Sequence, residues 1–103
     1  MSFEVERVIA ADHPALADHF PGNPIVPGVL ILDEVLQVAR QWRGSVKLKA
    51  IESVKFSSPL NPGDAFSIEL REAGSSEIVF ECRYAGTMLA SGTLTVELDA
   101  RTA

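Results

Sequence analysis

Residues 29–42, Val-Leu-Ile-Leu-Asp-Glu-Val-Leu-Gln-Val-Ala-Arg-Gln-Trp, constrain the fold more than any other segment. At helical spacing, Val29, Leu30, Ile31, Leu32, Val35, Leu36, Val38, Ala39 and Trp42 occupy nearly the whole circumference. Such a helix is expected to be buried on most of its sides. It is also the single convincing helix of the chain. Pro27 fits the entry to a first turn but not a helix interior, and Gly44 supplies a stop. Everything beyond Gly44 reads as strand: residues 46–56, 65–72, 77–85 and 88–98, with period-two alternation clearest in 65–72. Asn61-Pro-Gly-Asp64 and Gly74-Ser-Ser76 mark turns, and Gly86 breaks the last two strands. Ahead of the helix, residues 3–9 alternate as a strand. Residues 10–28, rich in proline and carrying two glycines, form a long structured loop of the kind often used for function.

Short turns between successive strands favour antiparallel pairing. The expected fold is therefore α+β, an antiparallel sheet wrapped around one central buried helix, with residues 1–103 as one domain. A domain this small buries a modest core, so a second subunit would help it. The net charge of −5, from 14 acids against 9 Lys and Arg, argues against a nucleic-acid binder or a basic membrane-surface protein. The single Cys82 forbids an internal disulfide and fits a reducing cytoplasm. The N-terminus carries neither the basic segment nor the apolar run of a signal peptide. No apolar stretch approaches the roughly 18 residues of a membrane span.

The chemistry concentrates in residues 19–37. His19 sits in the Pro/Gly-rich loop, Gly28 at the helix start, and Asp33 on the helix itself. A base, an acid and unpaired backbone N–H groups thus come within reach of one substrate, and they suit proton abstraction beside a thioester carbonyl. A histidine titrates near neutral pH and can accept such a proton. The first N–H groups of a helix are unpaired and lie at its positive end, where they can meet a developing oxyanion. Glycine at position 28 lets a substrate approach the backbone closely. An acid on a mostly apolar helix is expected to be desolvated, which favours its neutral, proton-donating form. Gln37 lies four residues on, shares the helix face of Asp33, and can fix its rotamer. Plainer roles stand beside these: His19 as a backbone-capping loop residue, Asp33 or Glu34 as first-turn acids, Gly28 and Pro27 as helix-start punctuation, Gln37 as a solvated residue. His13, Cys82, Trp42 and Asn23 read as structural. Two histidines and no cysteine cluster give no metal site.

His19-Phe-Pro-Gly, Pro27-Gly-Val-Leu and Lys55-Phe-Ser-Ser-Pro-Leu-Asn-Pro-Gly-Asp64 together resemble the hotdog-fold β-hydroxyacyl-acyl-carrier-protein dehydratases, over roughly residues 3–98. The resemblance implies dehydration of a 3-hydroxyacyl thioester to the trans-2-enoyl thioester in fatty-acid or related lipid and polyene biosynthesis. It makes His19 the base, Asp33 the acid, the Gly28 N–H the thioester-carbonyl donor and Gln37 the orienting group. It builds the site at a dimer interface, with His19 and Asp33 from different subunits. The loop resembles the branch that uses glutamate as acid, whereas Asp33 matches the branch that uses aspartate. The substrate would ride on the phosphopantetheine of acyl carrier protein or on CoA, with no other cofactor. Phe20, Ile25, Val26 and Leu32 are expected to line its tunnel. Arg40, Arg43, Lys47 and Lys49 form a local basic cluster in an acidic chain, either a dock for the carrier protein or a solvated helix end. Homodimers, assemblies of dimers and a heterodimer with a paralogue all suit such a chain. Two further readings keep the fold and change the role: an acyl thioesterase, and a non-catalytic subunit that pairs with an active paralogue.

Overall fold

The sheet explains how one helix finds its cover. The structure, a computed structural model, describes residues 2–12, 25–44 and 46–98. Its elements are β1 (Ser2–Arg7), α1 (Gly28–Arg43), β2 (Val46–Phe56), β3 (Phe66–Glu72), β4 (Glu77–Tyr84) and β5 (Thr87–Leu98). The five strands form one antiparallel sheet in the order β1-β3-β4-β5-β2, with α1 against one face. The expected strands and helix recur with ends moved by at most two residues, the largest change being β1, which stops at Arg7 instead of residue 9.

Alternation decides which side of the sheet each residue takes. Phe66, Ile68 and Leu70 of β3, Ile78, Phe80 and Cys82 of β4, and Ala90, Leu94 and Val96 of β5 are all buried. Between them stand Ser67, Glu69, Val79, Glu81, Arg83, Thr93 and Thr95, on the other face. There Arg83 pairs with Glu81 at 2.9 Å and Glu69 at 3.8 Å, and Arg71 with Glu81 at 3.8 Å. Cross-strand ion pairs of this kind suit a face in contact with water.

Two turns follow from their residues. At Asn61-Pro-Gly-Asp64 the Asp64 N–H donates to Asn61 O at 3.3 Å, and Gly63, with φ of 89°, takes the left-handed position that follows a proline in such turns. Ala85 and Gly86 join β4 to β5 with φ of 50° and 83°, the two-residue hairpin whose twist matches the strands.

The helix departs from expectation. Ile31, Val35, Val38 and Ala39 are its buried residues, at i, i+4, i+7 and i+8, facing the sheet. Leu30, Leu32, Leu36 and Trp42 flank them, partly buried. Val29 is 69% exposed, and Asp33, Gln37, Arg40 and Gln41 are exposed with it. The sheet therefore covers one side of α1 and not most of its circumference. A single sheet layer touches a helix along one stripe, so the opposite side has no cover from the sheet. Burying each Val or Ile side chain on the inward stripe contributes about 1.5–3 kcal/mol. The helix stops at Gly44, whose N–H donates to Arg40 O at 2.8 Å. Near this end Trp42 stacks on Phe3, centroids 6.0 Å apart, with the Arg43 guanidinium 5.3 Å from the Trp42 ring centroid.

Candidate functional site at the helix start

The sequence-predicted residues divide into three groups. His19 and Phe20 lie outside the described residues, as do His13 and Asn23. Gly28, Asp33 and Gln37 lie on α1 as expected. Ile25 and Val26 lie just before it, and Leu32 is on the helix with its side chain partly buried against the core.

Asp33 and Gln37 meet directly. Gln37 Nε2 donates to Asp33 Oδ2 at 2.9 Å across one helical turn. Asp33 lies beyond the first turn, which contains no acid, so a first-turn dipole role does not describe it. The neighbouring Glu34 turns the other way and faces Arg7 of β1 at 3.8 Å. The expected desolvation of Asp33 is absent from the single chain, where the residue is exposed. It projects from the side of α1 that the sheet leaves open.

Gly28 opens the helix. Pro27 precedes it with φ −61° and ψ 144°, an extended conformation, and no side chain caps this end. Leu30 N–H donates to Pro27 O at 3.0 Å, and among the described residues the Gly28 N–H keeps its capacity for an external acceptor. The segment before the helix is tied to the chain after β2, because Val26 N–H donates to Leu60 O at 2.9 Å.

Beside Gly28 opens a cleft of about 360 Å³, lined by Ile25, Val26, Gly28, Ile31, Phe56 and the segment Ser57–Leu60. Ile25 and Val26 line this cleft; Leu32 does not. Ile31, Phe56 and Leu60 are lining residues that sequence reasoning did not single out. The signal for Phe56 was present, since it stands in the Lys55–Asp64 stretch, but strand periodicity alone cannot tell on which face it lies.

The basic cluster divides as well. Arg43 Nη1 pairs with Glu72 Oε1 of β3 at 2.9 Å, and Lys49 Nζ lies 4.0 Å from Glu97 Oε2 of β5. Arg40 and Lys47 are exposed. Cys82 is a free thiol, buried, and burial pushes its pKa up to about 12 from 9.0. That inert side chain belongs to the core. Among the described residues, no helix is long and apolar enough to cross a membrane.

One helix laid on a five-stranded antiparallel sheet is the hotdog fold. The model of the ApeI-like family, described as ApeI dehydratase, matches residues 1–93, and the chain belongs to that family. Among relatives, it is 31% identical to the 3-hydroxyacyl-[acyl-carrier-protein] dehydratase FabZ of Thermus thermophilus, over 94% of this chain and 78% of that one. It is 35% identical to the same-named protein of Thermomicrobium roseum over 61% of this chain and 48% of that one. The chain spans about half the length of the first two such relatives it matches, 48% and 51%. In structure it is similar to the dehydratase heterocomplex ApeI:P from Xenorhabdus doucetiae, with a TM-score of 0.82 and 22% identity over 92% of this chain and 86% of that one. The fluoroacetyl-CoA thioesterase FlK shares the fold with a TM-score of 0.72 and 14% identity over 94% of this chain and 85% of that one.

Proposed function

We propose that this chain dehydrates a 3-hydroxyacyl thioester, carried on acyl carrier protein, to the trans-2-enoyl thioester in fatty-acid or related lipid biosynthesis. The observation that carries the reading is the Asp33–Gln37 pair, a carboxyl held at 2.9 Å on the open side of α1, in a chain of a dehydratase family. His19 takes the proton from C2. The negative charge that develops on the thioester oxygen is met by the Gly28 N–H. Asp33 gives its proton to the C3 hydroxyl, which leaves as water as the C2–C3 double bond forms. Gln37 holds the carboxyl in the rotamer that does this. The same groups, run backwards, hydrate the enoyl thioester.

The exposed side of α1 supports a site completed by a second chain. Val29 and Asp33 lie on it, and β2 is an edge strand whose outer backbone groups have no neighbouring strand among the described residues. A partner seated there would take water from Asp33 and enclose the site. The partner is a second copy or a paralogue, so that the His19 and Asp33 of one site would come from different chains. For carrier docking, the structure favours Arg40 and Lys47 over Arg43 and Lys49, since these last two already face acids. Arg40→Glu with Lys47→Glu should raise KM for carrier-linked substrate more than for a short thioester mimic. An equal rise for both would remove the docking role.

The deciding experiment is hydration of a trans-2-enoyl thioester, followed by loss of the conjugated absorbance, with His19→Ala and Asp33→Asn beside the wild type. Activity that disappears in both variants supports the assignment. Release of free thiol from a saturated acyl thioester, without hydration, would replace it with a thioesterase. Activity that arises only after a paralogue is added would make this chain the accessory member of a pair.

A further inference from the structure

Gly28 lacks a side chain for a reason that the sequence does not reveal. A Cβ built on it would stand 2.6 Å from Cζ and 2.8 Å from Cε1 of Phe56, closer than real contacts allow. The ring of Phe56 thus occupies the place beside the helix start, while 51% of the residue remains exposed along the cleft. The aim of this ring depends on an irregularity in β2. Glu52 pairs with Thr93 and Lys55 with Ser91, so β2 carries one residue more than β5 between these pairs, and Ser53 there has φ of 57°. If the pairing ran on regularly from Glu52, Lys55 would oppose Ala90 and face the helix, and Phe56 would turn to the outer face. With it, Phe56 opposes the buried Ala90 and reaches Gly28. Holding a serine in the left-handed region is unfavourable, and such outliers collect beside functional sites.

We propose that Phe56 is a positioning residue for the reaction. Its ring, carried on the bulged end of β2, fixes the Gly28 N–H relative to the cleft and forms the wall against which the acyl thioester lies. This inference rests on the dehydratase reading above, in which the Gly28 N–H meets the thioester oxygen. Backbone before Gly28 is already tied by the Val26–Leu60 hydrogen bond, and backbone after it by the Leu30 N–H, which donates to Pro27 O at 3.0 Å. The ring holds the one stretch between these ties where the N–H must be placed.

The test is enoyl-thioester hydration by wild type, Phe56→Leu, Phe56→Ala, Phe56→Tyr, Gly28→Ala and the double variant Gly28→Ala/Phe56→Ala, with thermal melting of each. Phe56→Leu and Phe56→Ala should melt close to wild type, because the side chain is half exposed. Their kcat should fall roughly tenfold or more with KM nearly unchanged, as expected when a transition-state contact is misplaced. Phe56→Tyr adds its hydroxyl at Cζ, the ring atom closest to Gly28, and should behave like Gly28→Ala. In the double variant the two losses in kcat should not add, since both act through one contact. Wild-type kcat in Phe56→Ala, equal falls in kcat and melting temperature across the Phe56 series, or additive losses would each overturn the proposal while leaving the dehydratase reading intact. A wild type inactive with both carrier-linked and CoA-linked substrates would overturn both.

Discussion

The two sides of α1 differ in every respect that matters for function. The inward side carries Ile31, Val35, Val38 and Ala39, all but sealed from water, and among the described residues no polar or charged residue is buried with them. The outward side carries Val29, Asp33, Gln37 and Arg40, with a hydrogen-bonded pair at its centre. Stability is concentrated on one side and the proposed chemistry on the other, less than a helix diameter away. Substitutions should therefore separate the two properties cleanly, and the most direct way to break that expectation is to move an acid from one side to the other. Val38→Asp would bury an unpaired carboxyl and cost about 3–5 kcal/mol, much of the stability of a domain this size. Chemical denaturation measures it, and a stable variant would mean that the inward side is wetter than its burial indicates.

Asp33→Asn examines the other side. Loss of a general acid should lower the hydration rate about 10²–10⁴-fold, while stability stays within roughly 0.5 kcal/mol, as for an exposed position. A matching fall in melting temperature would assign Asp33 to the fold. Gln37→Ala should give a smaller loss of rate than Asp33→Asn and the same near-neutral stability.

Cys82 sharpens the inward half of the comparison. Its pKa stands near 12 in the folded chain against 9.0 for an ordinary thiol, so the folded state resists losing that proton. The stabilisation is complete below pH 9 and declines as pH rises from 9 towards 12, because the unfolded chain ionises first. Cys82→Ala should flatten that part of the stability profile, and the native thiol should be labelled by maleimide at pH 8 only as fast as the chain unfolds. Rapid labelling would show that the sheet interior opens locally.

Smaller effects lie at the ends of elements. Ala85 holds φ of 50° in a position that suits asparagine or glycine, so Ala85→Asn should stabilise the chain by up to about 1 kcal/mol in a thermal melt. A double-mutant cycle on Arg43 and Glu72, partly exposed and 2.9 Å apart, should give a coupling of about 0.2–1 kcal/mol that shrinks with salt. A larger coupling would mean that Trp42, beneath Arg43, belongs to the same unit.

Much of this was legible in the sequence, and for different reasons. The Asp33–Gln37 contact follows from a four-residue separation on a helix, a local rule that needs no tertiary knowledge. The strands declared themselves through alternation and through turns such as Asn61-Pro-Gly-Asp64. The exposure of Val29 and Asp33 was not legible, because hydrophobicity around a helix says that cover is needed and not which chain provides it. Nor was the position of Phe56 beside Gly28, because one inserted residue at Ser53 reverses the side of every residue beyond it.

The sequence by itself determined the elements, their order and the pairing of residues within one turn, since these depend on interactions between near neighbours. Tertiary structure decided which strands lie at the sheet edges, which side of α1 met the sheet and which ring came to rest on Gly28. Those depend on register and on packing between segments far apart in the chain, where a shift of one residue exchanges the inside for the outside.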